Sequence, residues 1–416
     1  MTGRTKNASS DPLGSAYWRQ WTATAISNMG DGVNAAALPL LALSLTTDSR
    51  LISGVALALA LPWFVLALPV GVVVDRYSRQ RLMVSANVVR AALMAGLALT
   101  AATSTLNIWL LYLLLTGVGI CEVIFDSSAQ AFLPELVPAE HLPKANGRLY
   151  TVETITNFFL GQPFGAVLFA VAVGLPFGID AASFAVAAVL VASIRVAPRK
   201  RLVDESESTI SFRSGIRESF GWLWRHPLLR TMALMLGTVN MAGMFGVSIF
   251  VKFAIETLHV SQRWYGALLA LMALGAISGG LIGDRIVLRL GKSLALRLSY
   301  VSFGLATIGM GVSPNYWWVA AFSFVDALAG TVWNIVTVSL RQQIIPGAMF
   351  GRVNSVYRWI GTGSTAVGAL IGGQLAFNFS LRTPFVVGGI VTLIAFAVGA
   401  RILSNERITA ASAELA

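Results

Sequence analysis

Gly71-Val72-Val73-Val74-Asp75-Arg76-Tyr77-Ser78-Arg79-Gln80-Arg81 is the stretch from which the fold can be read. It leaves an apolar run, 51–74, that is long enough to cross a bilayer. Within a short polar turn it gives way to another apolar run that starts at Leu82. A second junction of the same kind, Gly280-Leu281-Ile282-Gly283-Asp284-Arg285 with Arg289 and Lys292 behind it, follows a later apolar run. Asp75 and Asp284 stand about half of the 416 residues apart, so the chain reads as two related halves.

Composition agrees. The chain is 56% hydrophobic and 12% charged, against about 25% charged in a soluble domain. Eleven Trp and 39 Gly suit interfacial anchoring and close helix packing. One cysteine, Cys121, sits inside an apolar run, so no disulfide framework and no cysteine-based metal site are expected. His141, His226 and His259 are scattered, so no metal site is expected at all. The segment Met1 to Ser15 is polar, without the apolar core of a cleavable signal. No phosphate-binding glycine loop and no nucleophile–base set is present, which argues against ATP-driven pumping and against an enzyme.

Twelve spans are expected, at roughly 21–46, 51–74, 83–103, 106–130, 149–174, 177–195, 230–256, 263–288, 294–313, 316–339, 354–379 and 384–403. Most of the 30 Lys and Arg fall at the N-terminus, in every second connection, or in the tail. That bias places both termini in the cytoplasm and accounts for the net charge of +11 without nucleic acid. The expected division is a six-span bundle at 1–195, a cytoplasmic linker at 196–229 and a second bundle at 230–416. Within the linker, Phe212, Ile216, Phe220 and Leu223 recur at helical spacing between arginines. This is an amphipathic helix, lying on the inner membrane surface or packed as a hinge on the protein.

The repeat continues: Asn146-Gly147-Arg148 opens span 5, and Gly351-Arg352-Val353-Asn354 opens span 11. The G-x-x-x-D-R-x-x-R pattern at Gly71, Asp75, Arg76 and Arg79 resembles the loop between helices 2 and 3 of the major facilitator superfamily. Ser78 and Gln80 depart from the superfamily form. Pro134-Glu135-Leu136-Val137-Pro138, Leu142-Pro143-Lys144-Ala145-Asn146 and Gly221-Trp222-Leu223-Trp224-Arg225-His226-Pro227 are similar to its bacterial branch of macrolide efflux proteins and the enterobactin exporter, the transmembrane secretion effectors. The resemblance implies an all-α membrane protein of two pseudo-symmetric six-helix bundles. It also implies a secondary transporter with no cofactor, a proton gradient as energy source and alternating access. Its partners would be a lipophilic small-molecule substrate and the lipid bilayer, and its expected form a monomer in the bacterial inner membrane. An importer, a lipid-moving facilitator or a non-transporting sensor stands as the alternative.

Intramembrane charges need a reason, because each costs at least about 2.5–3.5 kcal/mol on insertion scales. Asp31 lies mid-span with Asn28 one turn before it, and the resemblance places span 1 on the central cavity. It can trade a proton for a substrate, or simply brace a helix bent at Gly30 and Gly32. Arg90 and Glu122 lie at matching depths in spans 3 and 4 and are expected to pair, permanently or until transport opens them. By resemblance Asp75, Arg79 and Asp126 form an inner latch, echoed in the second half by Gly280, Asp284 and Arg285. Glu153, Asn157, Gly161, Pro163 and Gly165 make one polar-to-small face on span 5, either a motif like that of drug–proton antiporters or a packing seam. Asp326 is the cavity candidate of the second half, and Asn240 a substrate contact or a helix–helix bond. Asp180 is expected near an outer interface. Trp63, Phe64, Phe158, Met241, Met244, Phe245 and Trp333 are available for an apolar cavity wall.

Overall fold

The computed structural model describes residues 13–138, 141–195, 212–404 and 406. The polar N-terminus and the charged opening of the linker lie outside the described residues, as does the side chain of Asp75. The first helices are α1 (Gly14–Leu45), α2 (Ser49–Arg76), α3 (Arg79–Ala102) and α4 (Ile108–Leu136). Next come α5 (Leu142–Thr154), a π-helical stretch Ile155–Gly161, α6 (Gln162–Val171) and α7 (Leu175–Ala192). After α8 (Phe212–Arg225) come α9 (Pro227–Val247) and α10 (Phe250–Lys252), with a π-helical turn at Phe253–Thr257. The last are α11 (Gln262–Val312), α12 (Tyr316–Ile344), α13 (Gly347–Asn378) and α14 (Thr383–Gly399).

Eight of these segments are long and apolar enough to cross a membrane by length and composition. The 51 residues of α11 would extend about 75 Å at 1.5 Å per residue, far beyond a hydrocarbon core of about 30 Å. The break is at Gly291, whose φ of 77° is closed to most side chains, so α11 makes two crossings. α1 and α13, 32 residues each, dilute their apolar content with polar residues on one face, and α14 has only 17 residues. With these, the expected twelve crossings are accounted for. Side-chain caps start several of them: Asn107 accepts from the Leu110 N–H at 2.9 Å and Asn315 from the Trp317 N–H at 3.1 Å. Exposed Trp109, Trp264 and Trp317 stand near helix starts at one end of the bundle, where amphipathic rings meet the headgroups.

Two seams join the first six crossings to the last six: α2 against α13, and α6 against the first half of α11. A continuous apolar core runs through both sets at the end that carries the connections after α1, α3, α6, α11 and α13. It includes Leu40, Ile52, Leu111 and Phe177 from one set and Phe250, Tyr265, Val319 and Phe385 from the other. At the opposite end the cores are separate: Tyr17, Met83 and Phe132 belong to cores of the first set, and Leu229, Tyr300 and Tyr357 to a core of the second. The molecule is sealed at one end and divided at the other.

The linker helix α8 packs on the protein. Leu223 is fully buried in the core of the second set, while Phe220 and Trp224 stack on each other and stay exposed.

Candidate functional site

A cavity of about 900 Å³ lies between the two sets of helices, running from Leu38, Pro39 and Ile52 beneath the seal to Gln20, Gln130 and Asn146 toward the divided end. Helical periodicity builds it. On α1, Thr24, Asn28, Asp31, Ala35 and Leu38 recur every three or four residues and share one face; on α4, Val118, Glu122, Asp126 and Ala129 do the same. Glu153 on α5 and Asn157 in the π-helical stretch join them. Leu59, Trp63, Phe125 and Met244 supply apolar wall. Arg358 on α13 is the cation that the second set contributes to the lining.

Asp31 is paired. The Arg90 guanidinium donates to its Oδ1 at 2.7 Å, with the Arg90 side chain 2% exposed and that of Asp31 30% exposed. The same guanidinium lies 3.9 Å above the Phe184 ring. This corrects the expected Arg90–Glu122 pair. The two residues match in depth and both line the cavity, but the Arg90 guanidinium is taken up by Asp31 on α1 and the Phe184 ring on α7.

The inner latch also differs. Arg79 donates to Glu135 at 2.6 Å and to the Ala131 carbonyl at 2.9 Å. Asp126 lies more than two turns deeper on α4 and faces the cavity, too far along the helix for the first residue of α3. Arg76 is exposed. Gln80 donates to the carbonyls of Val191 at 2.8 Å and Ile194 at 2.7 Å, so it closes the C-terminal end of α7. In the second half Gly280, Asp284 and Arg285 are exposed along α11, with no ion pair among the described residues. At this end Lys292 donates instead to Gln343 at 2.9 Å. A Cβ at Gly71 would meet nothing within 4 Å.

The span-5 residues divide by function. Glu153 and Asn157 line the cavity; Gly161 and Gly165 pack on α1, where a Cβ on Gly161 would come 2.7 Å from the Gly32 Cα and one on Gly165 would collide with the Val33 carbonyl. The Pro163 carbonyl reaches α11, 2.9 Å from where a Gly266 Cβ would stand. Gly161, Pro163 and Gly165 are thus seam residues.

For the wall and the second half, two expectations change and one, for Asn240, narrows to its helix–helix alternative. Asp326 is absent from the cavity lining. Asn240 donates to the Gly361 carbonyl at 2.9 Å and ties α9 to α13. Trp333 is buried against Tyr300, and Phe64 stacks on Trp359 at 5.3 Å, so neither ring is free for the cavity. Asp180 is not at an interface: it is fully buried, accepting from Asn34 and from Ser183 Oγ at 3.0 Å. Asp180 behind the wall and Arg358 on the lining are polar groups to which the sequence reading gave no role. A small side branch of about 120 Å³, lined by Ala67, Ser127, Ser355 and Trp359, opens beside Trp63 and Arg358 between α2, α4 and α13.

Comparison with known proteins agrees with this architecture. The profile of the transmembrane secretion effectors matches residues 8–414. The chain is 22% identical over 386 residues to macrolide efflux protein A of Streptococcus pyogenes, covering 90% of this chain and 92% of that one. It is 26% identical over 324 residues to the enterobactin exporter of Citrobacter koseri, covering 76% and 75%. It is 24% identical over 392 residues to the multidrug efflux pump Tap of Mycobacterium tuberculosis, covering 89% and 91%. In fold it is similar to a nucleoside transporter, with a TM-score of 0.74 at 12% identity over 94% of this chain and 99% of that one. It is also similar to a bacterial homologue of ferroportin in an inward-facing state, with a TM-score of 0.72 at 14% identity over 94% and 99%. The chain belongs to the transmembrane secretion effector family of major facilitator transporters: a multi-pass membrane transporter, not an enzyme.

Proposed function

We propose that the chain is a proton-driven exporter of a lipophilic small molecule, working by alternating access in the bacterial inner membrane. The observation that carries this reading is the cavity: open toward one end, apolar on one wall, and bearing the carboxylates of Asp31, Glu122, Asp126 and Glu153 on another. Apolar surface with a few convergent polar groups accepts varied lipophilic ligands. Carboxylates at membrane depth are costly, and proton exchange gives them a use. Arg19, Arg76, Arg148, Arg230, Lys292 and Arg352 lie toward the divided end, and Arg50, Lys252 and Arg382 toward the sealed one. The positive-inside bias supports a cytoplasmic divided end with both termini inside, and hence an inward-open state. The efflux functions of the relatives support export, and macrolides and enterobactin-like molecules are the first substrates to try.

Residues 1–195 and 230–416 would move as two bodies joined by 196–229. The cavity is complete within one chain, so a monomer suffices. A lipid-moving facilitator is the second reading, favoured by the side branch between α2 and α13.

The test uses everted membrane vesicles carrying an acid-interior gradient. Adding a labelled macrolide should give uptake into the vesicles and a faster loss of the gradient, both absent without the chain. Uptake that persists after the gradient is dissipated removes proton coupling. Scrambling of a fluorescent phospholipid in reconstituted vesicles, with no macrolide uptake, replaces export by the second reading.

A further inference from the structure

Behind the wall of the cavity, Asp180 is fully buried at the centre of the α1–α3–α7 packing. Its carboxylate sits against the α1 backbone, close enough that a Cβ on Gly30, the residue before Asp31, would collide with its Oδ1. Asn34, 7% exposed, donates to Asp180 from the same helix while its own Oδ1 has no hydrogen-bond partner and it lines the cavity. Phe184 lies one turn along α7 from Asp180, on the same face, and carries the Arg90 guanidinium on its ring. Arg90 is held by Asp31 through one terminal nitrogen, and its Nε is buried without a partner. The guanidinium is therefore bounded by Asp31 on one side and by the turn of α7 that ends at Asp180 on the other.

The charged groups facing this spot are few. α1 brings Asp31, α3 brings Arg90, and α6 has no charged residue; α7 has only Asp180. On the cavity side, Glu122 and Asp126 of α4 line the same space as Asp31 and Arg90. Two carboxylates and one guanidinium leave one negative charge unmatched in a buried site, which is costly unless a proton completes the set. We infer that Asp31 and Asp180 share Arg90 and one proton, so that Asp180 carries the proton while Arg90 holds Asp31, and the partners exchange when Asp31 is neutralised. In the exchange Asp31 gains a proton from the cavity, Arg90 turns to Asp180, and the Asp180 proton leaves past Asn34, so the net charge of the cluster is unchanged. Asp180 is then a proton-holding residue one layer behind the cavity, and Arg90 is the part that moves.

This inference rests on the proton-coupled reading only for its purpose, and its test needs no substrate. Purified full-length protein in detergent at neutral pH is examined by infrared spectroscopy for the carbonyl stretch of protonated carboxyl groups. Asp180→Asn should delete one band. Asp31→Asn should delete the same band, because the released Arg90 displaces the Asp180 proton. If Asp180→Asn does not fold, Ser183→Ala assigns the band by shifting it, since the Ser183 hydroxyl bonds that carboxyl. A band that survives Asp31→Asn overturns the exchange and leaves Asp180 a packing residue. The absence of any band sensitive to either Asp180→Asn or Ser183→Ala overturns the proton site. Neither result alters the vesicle experiment on export, and failed export leaves the band pattern to stand or fall alone.

Discussion

Arg90 on α3 holds Asp31 on α1 at 2.7 Å, with the arginine buried and the aspartate open to the cavity. Removing the guanidinium leaves the Asp31 carboxylate without its counter-charge, so Arg90→Leu should cost about 3 kcal/mol, the low end for a broken buried pair because Asp31 is partly solvated. The double variant Asp31→Ala/Arg90→Leu should be less destabilised than the two single changes added together. Thermal unfolding in detergent reads this out, and additive losses would contradict a coupled pair.

Asp31→Asn should abolish gradient-driven macrolide uptake into everted vesicles while leaving downhill exchange in place. Asp31 is the carboxylate through which the buried cluster meets the cavity, so its loss separates coupling from the path of the substrate. Uptake at the wild-type rate would move the proton site to Glu122 or Asp126.

Arg79 and Glu135 are each about a third exposed, so their pair contributes only about 0.5–1 kcal/mol to stability. Its expected effect is on transport. Arg79→Ala should insert and unfold like the wild type but export slowly. Exchanging the charges, Arg79→Glu with Glu135→Arg, should restore much of the rate. A normal rate in Arg79→Ala disposes of the latch.

The sealed end carries polar ties as well as apolar core. Lys252 donates to the Thr47 carbonyl and to Ser49 Oγ at 3.3 Å, and the Arg50 guanidinium lies 3.7 Å over Phe377. A cation–π contact at an exposed site is worth about 0.5–1 kcal/mol, a factor of about two to five in population. Phe377→Ala should raise the rate at which an impermeant thiol reagent, added outside intact cells, labels Val55→Cys in a Cys121→Ser background by about that factor. An unchanged rate would show that the tie does not bias the two states.

Glycines differ sharply in tolerance. Gly165→Ala would drive a methyl into the Val33 backbone and should cost about 1–3 kcal/mol. Gly147→Ala in α5 meets nothing within 4 Å and should stabilise the helix by up to about 1 kcal/mol. Unfolding temperatures of the two variants should move in opposite directions.

At the start of α2 the Arg50 side chain hydrogen-bonds the Asp48 carboxylate, with its backbone N–H adding a second bond, and holds that carboxyl below its ordinary range. A depressed value stabilises the fold above the unfolded pKa of about 3.9, and the contribution is lost as pH falls through the lower folded value. Hydrogen exchange in the first turn of α2 should therefore quicken below about pH 4, relative to the intrinsic rate, and Asp48→Asn should remove that dependence. Equal pH profiles in the two proteins would refute the tie.

The sequence by itself determined the class, the twelve crossings and the family, because span length, charge bias and motif spacing are properties of the chain read along one dimension. It also placed Asp31, Glu122 and Glu153 at membrane depth, where a charge needs a partner or a purpose. Tertiary structure decided who meets whom. Arg90 and Glu122 share a depth, yet the rotation of α3 turns the arginine to Asp31 and Phe184. Arg79 reaches Glu135 instead of Asp126, because the last turns of α4, not its middle, stand beside the start of α3. Asp180 looked peripheral in sequence and is fully buried, since Gly30 lets α7 approach α1 closely enough to bring its carboxylate to Asn34. Depth follows from residue number at 1.5 Å per residue, but the direction a side chain faces depends on how its helix is rotated against its neighbours, and packing alone fixes that.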